Sequence, residues 1–111
     1  MQLGDVAQAL DLALRTDERQ LQREVTGGCV SDLLSYAMAN ARAGDIWITI
    51  QVHPNIVGVA ELLDLAGVII AGGQQPEKAT LDKAGERGVA VLTTPQNAFT
   101  VAGRLYQLGV R

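Results

Sequence analysis

From Asp45 onward, short apolar runs alternate with stretches whose apolar residues recur at helical spacing. Ile46–Ile50 is a β-branched run, the pattern of a strand buried on both faces. Pro54 suits the first turn of a helix. Ile56, Val57, Val59, Ala60, Leu62 and Leu63 give that helix a broad apolar face, and Gly67 follows as its stop. Val68–Ala71 predicts a second buried strand and Gly72-Gly73 a turn, while Pro76 opens a helix to about Arg87 that Gly88 ends. Val89–Leu92 predicts a third strand, and Pro95 leads into a last helix carrying Phe99, Ala102, Leu105, Tyr106 and Leu108. Ile46, Val68 and Val89 therefore begin strands about 21 or 22 residues apart. One βα unit after another at this spacing requires parallel strands with right-handed crossovers.

The first 44 residues are less regular. Val6–Leu10 reads as a short helix, Leu12–Arg15 as a short strand, and Asp17-Glu18-Arg19-Gln20 as a polar turn. Gln22–Val25 reads as another strand, and Thr26-Gly27-Gly28 as a glycine-rich turn leading to a helix start. Asp32 then opens a helix to about Ala43, ended by Gly44. The expected fold class is α/β, a three-layer-like single domain over residues 1–111 with a mainly parallel sheet. Composition agrees: 48% of residues are hydrophobic but only 4% are aromatic, so Leu, Val, Ile and Ala must build the core.

Charge and cysteine usage remove several classes of function. The net charge of -3, with no basic stripe, argues against nucleic acid, which needs clustered Lys and Arg. Cys29 is the one cysteine, so neither an intrachain disulfide nor a Cys-rich metal or iron–sulfur cage can form. Met1–Asp5 lacks the basic and apolar regions of a signal peptide, and no apolar run approaches a membrane span. The expected location is cytoplasmic, with no membrane partner.

In an open parallel sheet, ligands bind outside the carboxyl ends of the strands. The residues expected there are Gln51, Val52, His53 and Asn55, then Gly72-Gly73, then Thr93-Thr94, with the Thr26-Gly27-Gly28 turn joining the same edge. Bare backbone amides and short polar side chains suit a phosphate or carboxylate. The candidate ligand contacts are Thr26, Gly27, Gly28, His53, Asn55, Gly72, Gly73 and Thr94. His53, the single histidine, has no partner base or nucleophile nearby in sequence, which favours a capping or interface role. Asp32 beside Ser31 and Ser35 reads as a helix cap, and Trp47 as core or subunit contact. Asp45, Glu61 and Asp64 are scattered, so no metal site is expected; one His and one Cys offer no acid–base pair, so no catalytic residue is expected, nor a cofactor. On the last helix, Asn97, Thr100, Arg104 and Tyr106 are the expected contact of a homodimer.

Thr26-Gly27-Gly28 with Ser31-Asp32-Leu33-Leu34-Ser35 resembles the DRTGG domain. The resemblance continues through Trp47-Ile48-Thr49, His53-Pro54-Asn55, Gly72-Gly73 and Ala102-Gly103-Arg104-Leu105-Tyr106. Glu24-Val25 stands where the family motif has Asp-Arg. The resemblance implies a fold like the N-terminal domain of HPr kinase/phosphorylase. It also implies an accessory module for regulation and subunit contact, found beside CBS domains in regulated pyrophosphatases and in long phosphotransacetylases. Kinase chemistry does not carry over, because the chain has no P-loop sequence. The expected function is a non-enzymatic regulatory domain that self-associates and binds a small anionic metabolite or nucleotide. The alternative is a protein-interaction subunit of a redox (hydrogenase-associated) or kinase assembly, with no ligand of its own.

Overall fold

Five strands form one sheet in the order β1-β5-β4-β3-β2 in the computed structural model, which describes residues 1–111. In chain order the elements are α1 (Leu3–Leu10), β1 (Ala13–Leu14), a 3-10 turn (Glu18–Gln22), β2 (Gly27–Val30) and α2 (Leu34–Asn40). Then come β3 (Asp45–Thr49), α3 (Asn55–Leu63), β4 (Gly67–Ile70), α4 (Lys78–Arg87), β5 (Val91–Thr93) and α5 (Ala98–Leu108). β2 to β5 are parallel, and β1 alone runs antiparallel, pairing Ala13 with Thr93. The mixed α/β class and the mainly parallel sheet are as the sequence predicts. No helix is long and apolar enough to cross a membrane.

The core lies in two layers, one on each face of the sheet. Leu3, Val6 and Leu10 of α1 pack with Val101 and Leu105 of α5 against Ile46, Ile48, Ile69 and Leu92. On the other face Ala37, Ile56, Val57, Ala60 and Ala84, from α2, α3 and α4, pack on Trp47, Val68, Ile70 and Val91. All three crossover helices share this face because successive right-handed crossovers carry the chain across the sheet in one direction. The opposite face has only two helices. Five strands about 4.8 Å apart need more cover than two helices about 10 Å wide provide. β2, the edge strand, is left bare there: Gly28 and Val30 are exposed while Gly27 and Cys29 are buried.

Several boundaries differ from the sequence reading, each for an identifiable reason. Gly27-Gly28 is not a turn but the start of β2, held by parallel register with Asp45 and Ile46. Gln22–Val25 is not a strand: Glu24 makes only an isolated bridge to Gln2. Asp32 does not cap α2, because its Oδ1 accepts from the Ile50 amide at 3.1 Å, and α2 starts two residues later. At the other end α2 stops at Asn40, before the expected Ala43, and Ala41 is already extended. α3 ends at Asp64, whose φ of 55° turns the chain, so Gly67 opens β4 instead of stopping the helix. The third strand begins at Val91 rather than Val89, since the Val89 amide still closes α4 by donating to the Ala84 carbonyl at 3.0 Å.

Candidate functional site

The carboxyl ends of the strands carry five of the eight predicted ligand contacts. His53 and Asn55 follow β3, Gly72-Gly73 follow β4, and Thr94 follows β5. The Gly72, Gly73 and Asn55 amides, His53 Nδ1 and the Thr94 hydroxyl are already bonded within the protein. The Gly72 amide donates to the Gln96 carbonyl at 2.7 Å and the Gly73 amide to the Thr94 carbonyl at 3.0 Å. Both glycines have φ above 70°, the left-handed conformation that places these amides against the β5–α5 loop. The Asn55 amide donates to His53 Nδ1 at 3.0 Å, so His53 caps the start of α3. The Thr94 hydroxyl accepts from the Gln96 amide at 3.2 Å and from Gln96 Nε2 at 3.1 Å. Gln96 in turn accepts from Arg104 Nη1 at 2.8 Å, while Arg104 Nη2 donates to Ala9 O at 2.7 Å, at the end of α1. Gly72, Gly73 and Thr94 thus join Gln96 and Arg104 in one internal network, and of the five residues only Asn55 borders a cavity.

Thr26, Gly27 and Gly28 lie at the opposite end of the sheet. β3 is five residues long, so about 16 Å of strand separates the two ends. The expectation of one shared edge is thereby corrected: β2 begins at Gly27, and its glycine pair faces the start of β3. Here the Thr26 amide donates to the Gly44 carbonyl at 3.0 Å, and its hydroxyl to Ala43 O at 3.4 Å. Asp45 closes the turn before β3 twice, its Oδ2 accepting from the Arg42 amide at 3.0 Å and its own amide donating to Arg42 O at 2.9 Å. A Cβ on Gly27 would come within 2.6 Å of Asp45 Oδ1. The Thr-Gly-Gly run is thus a clasp that fixes the Arg42–Asp45 turn.

Beside the clasp opens a polar cavity of about 330 Å³, bordered by Thr26, Gly27, Asn40, Arg42, Asp45 and Arg111. Arg42, Asn40 and Arg111 were not among the predicted contacts. Pairing Gly27 with Asp45 would have pointed to Arg42, three residues before the start of β3, but that pairing is not written in local sequence. A second concavity of about 210 Å³ lies between β2 and α5 and is apolar, with Val30, Ile48, Leu105, Tyr106 and Val110 in its walls. Gly28 and Arg111 border both. The Arg111 guanidinium centre sits 3.9 Å from the Tyr106 ring centroid. Elsewhere Arg19 donates to both oxygens of Asp17, at 2.6 Å to Oδ2, and holds that carboxyl pKa down at about 2.

Of the residues expected at a dimer contact, Arg104 is turned inward and Asn97 Oδ1 caps α5 by accepting from the Thr100 amide at 2.8 Å. Tyr106 remains exposed. Trp47 is core, fully buried, and donates from Nε1 to Ser31 O at 2.8 Å. Cys29 is buried in the helix-rich layer, and burial, with Asp45 adding to it, pushes its thiol pKa up. Alkylation of Cys29 by iodoacetamide at pH 8 is therefore expected to be at least tenfold slower in the native protein than in urea, since the thiolate is the reactive form. Equal rates would show that the strand opens freely.

The family model of the DRTGG domain matches residues 5–108. The chain belongs to this family. Its Thr-Gly-Gly signature is the clasp at the amino end of β2. No curated protein matches the sequence. Among solved structures the DRTGG chain is similar to the CBS and DRTGG domains of the regulatory region of Clostridium perfringens pyrophosphatase, complexed with its activator diadenosine tetraphosphate. The TM-score is 0.77 at 20% identity, over 96% of this chain and 46% of that one. The chain thus spans about half the length of that regulatory region, and the likeness establishes the fold.

Proposed function

We propose that this DRTGG domain is a non-catalytic regulatory module that self-associates and binds a small anionic metabolite or nucleotide. The observation that carries the reading is the open edge of β2, flanked by an apolar groove along its side and a polar cavity at its start. An unpaired strand edge is a template for another chain. Three of the four aromatic residues are exposed, Phe99 at 88%, Tyr106 at 58% and Tyr36, and Val30 on the bare edge strand is 52% exposed. Tyrosines are common anchors at interfaces. The non-catalytic reading is supported by where candidate groups are committed: Asp32 on the Ile50 amide, His53 on the Asn55 amide, and Ser31 Oγ on the Leu33 amide. The fold neighbour, which belongs to a regulatory region and takes a nucleotide activator, supports the same class of role.

Light scattering tests self-association. The expected mass is twice the 11.8 kDa of the chain, returning to one chain when Val30→Lys places a charge on the open edge. A wild-type chain that stays monomeric at millimolar concentration overturns self-association. A thermal-shift screen against nucleotides, pyrophosphate and diadenosine tetraphosphate tests ligand binding. A ligand at a hundred times its Kd adds about 2.7 kcal/mol, or roughly 10 °C for a domain of this size. A flat screen favours the interaction subunit with no ligand of its own.

A further inference from the structure

We infer that α5 is the dimer helix: in a two-fold pair, the α5 of a second copy packs against α5 and covers the apolar groove above β2. The inference rests on the self-association proposed above and specifies the surface that makes it. A helix that lies on a core by one side carries polar residues over the rest of its circumference. In α5 the core side is Val101 and Leu105, but the polar residues Thr100, Arg104 and Gln107 fall on one narrow stripe. Arg104 on that stripe is taken up by Gln96 and the end of α1. The remaining arc carries Phe99, Ala102, Gly103 and Tyr106 at i, i+3, i+4 and i+7, the spacing of a second packing face. Phe99 and Tyr106 are exposed, and no other part of the chain lies within 4 Å of a Cβ at Gly103.

This second face of α5 adjoins the bare strand. The concavity of about 210 Å³ there runs from Val30 and Ile48 to Ala102, Leu105 and Tyr106, and Arg111 is the one charged residue on its border. One side of the molecule thus presents both an uncovered groove and an unburied helix flank. A two-fold axis sets the flank of each copy against the groove of the other, so both are covered at once. Charge favours a second copy as the occupant. The chain has 12 Asp and Glu residues and a net charge of -3, yet β5–α5 from Val91 to Leu108 and β2 contain no carboxylate side chain. Two acidic chains therefore meet here without opposing like charges, on a face depleted of charge as interface centres are. Interfaces at the small end of the stable range bury about 600 Å² per partner, roughly a tenth of this chain's 5775 Å² surface. The eleven residues of α5 and four of β2 offer an outer surface of that order, so the pair is expected to dissociate on dilution.

Sedimentation equilibrium of the full chain from micromolar to millimolar concentration reads the contact. In Gly103→Leu the new side chain enters open space within one copy but meets a helix in the pair. This variant should keep the circular dichroism of wild type, since leucine is the better helix former, and should weaken the dimer about tenfold or more. Phe99→Glu, exposed in a single copy, should do the same by placing a carboxylate on the contact. Gly103→Cys gives a positive reading, because a short bis-maleimide should join its two copies. Wild type, whose one thiol is buried, and Lys78→Cys, on the helix layer across the sheet, should stay unjoined. A dimer that tolerates Gly103→Leu and Phe99→Glu, or whose Gly103→Cys copies are not joined, overturns the α5 contact. If Val30→Lys still separates that dimer, self-association stands and is made strand to strand. A wild-type chain that stays monomeric at millimolar concentration overturns both readings and leaves this face to an unlike partner.

Discussion

Truncating Trp47 to alanine is expected to cost about 4 kcal/mol of stability and to lower the melting temperature by roughly 15 °C. Trp47 is the largest fully buried side chain and the only aromatic residue in the core. It packs in the layer formed by Ile56, Val57, Val68 and Ile70, where low aromatic content leaves nothing of comparable volume to fill the space. Its indole N–H also anchors Ser31 O at 2.8 Å, tying the segment after β2 to β3. Two effects should therefore separate in a second variant. Trp47→Phe keeps most of the packing but drops the hydrogen bond and part of the volume, and should cost about 1–2 kcal/mol. Urea unfolding followed by circular dichroism measures both. A Trp47→Ala cost below about 1 kcal/mol would mean that β2 and its tail are not seated on the core as described.

Why the sequence reveals some of this and hides the rest follows from how local each determinant is. The βα rhythm from Asp45 onward is legible because Ile46, Val68 and Val89 mark strands whose apolar runs need no partner to be recognised. β2 is hidden because Gly27 and Gly28 are poor strand formers on their own. Only pairing with Asp45 and Ile46, far along the chain, makes them a strand. The candidate site divides along the same line. Placing His53, Gly72 and Thr94 at one edge needs only the strand directions, which the spacing supplies. That the Gly72 amide and the Thr94 hydroxyl are taken up by Gln96 depends on the conformation of the β5–α5 loop. The Arg42–Arg111 cavity joins residues nearly seventy positions apart, and no periodicity announces that meeting.

The clasp itself can be measured. Gly44→Ala is expected to cost about 3 kcal/mol, from two sources that a double-mutant cycle separates. Gly44 has φ +85°, where an alanine is strained by about 1–2 kcal/mol. A Cβ there would in addition overlap the Thr26 hydroxyl, which the turn holds close by its bond to Ala43 O. Removing that hydroxyl by Thr26→Ala should cost less than about 1 kcal/mol alone, because the bond at 3.4 Å is long and Thr26 is exposed. In the Thr26→Ala background the same Gly44→Ala change should then cost only about 1–2 kcal/mol, the backbone strain that remains. A coupling of at least about 1 kcal/mol between the two positions is the signature of the clasp. Strictly additive costs would mean that Thr26 and Gly44 do not meet, and that the threonine of the family signature serves some purpose other than fixing the Arg42–Asp45 turn. The geometry favours coupling, since a glycine whose backbone angle disfavours any side chain is also the one on which the threonine closes.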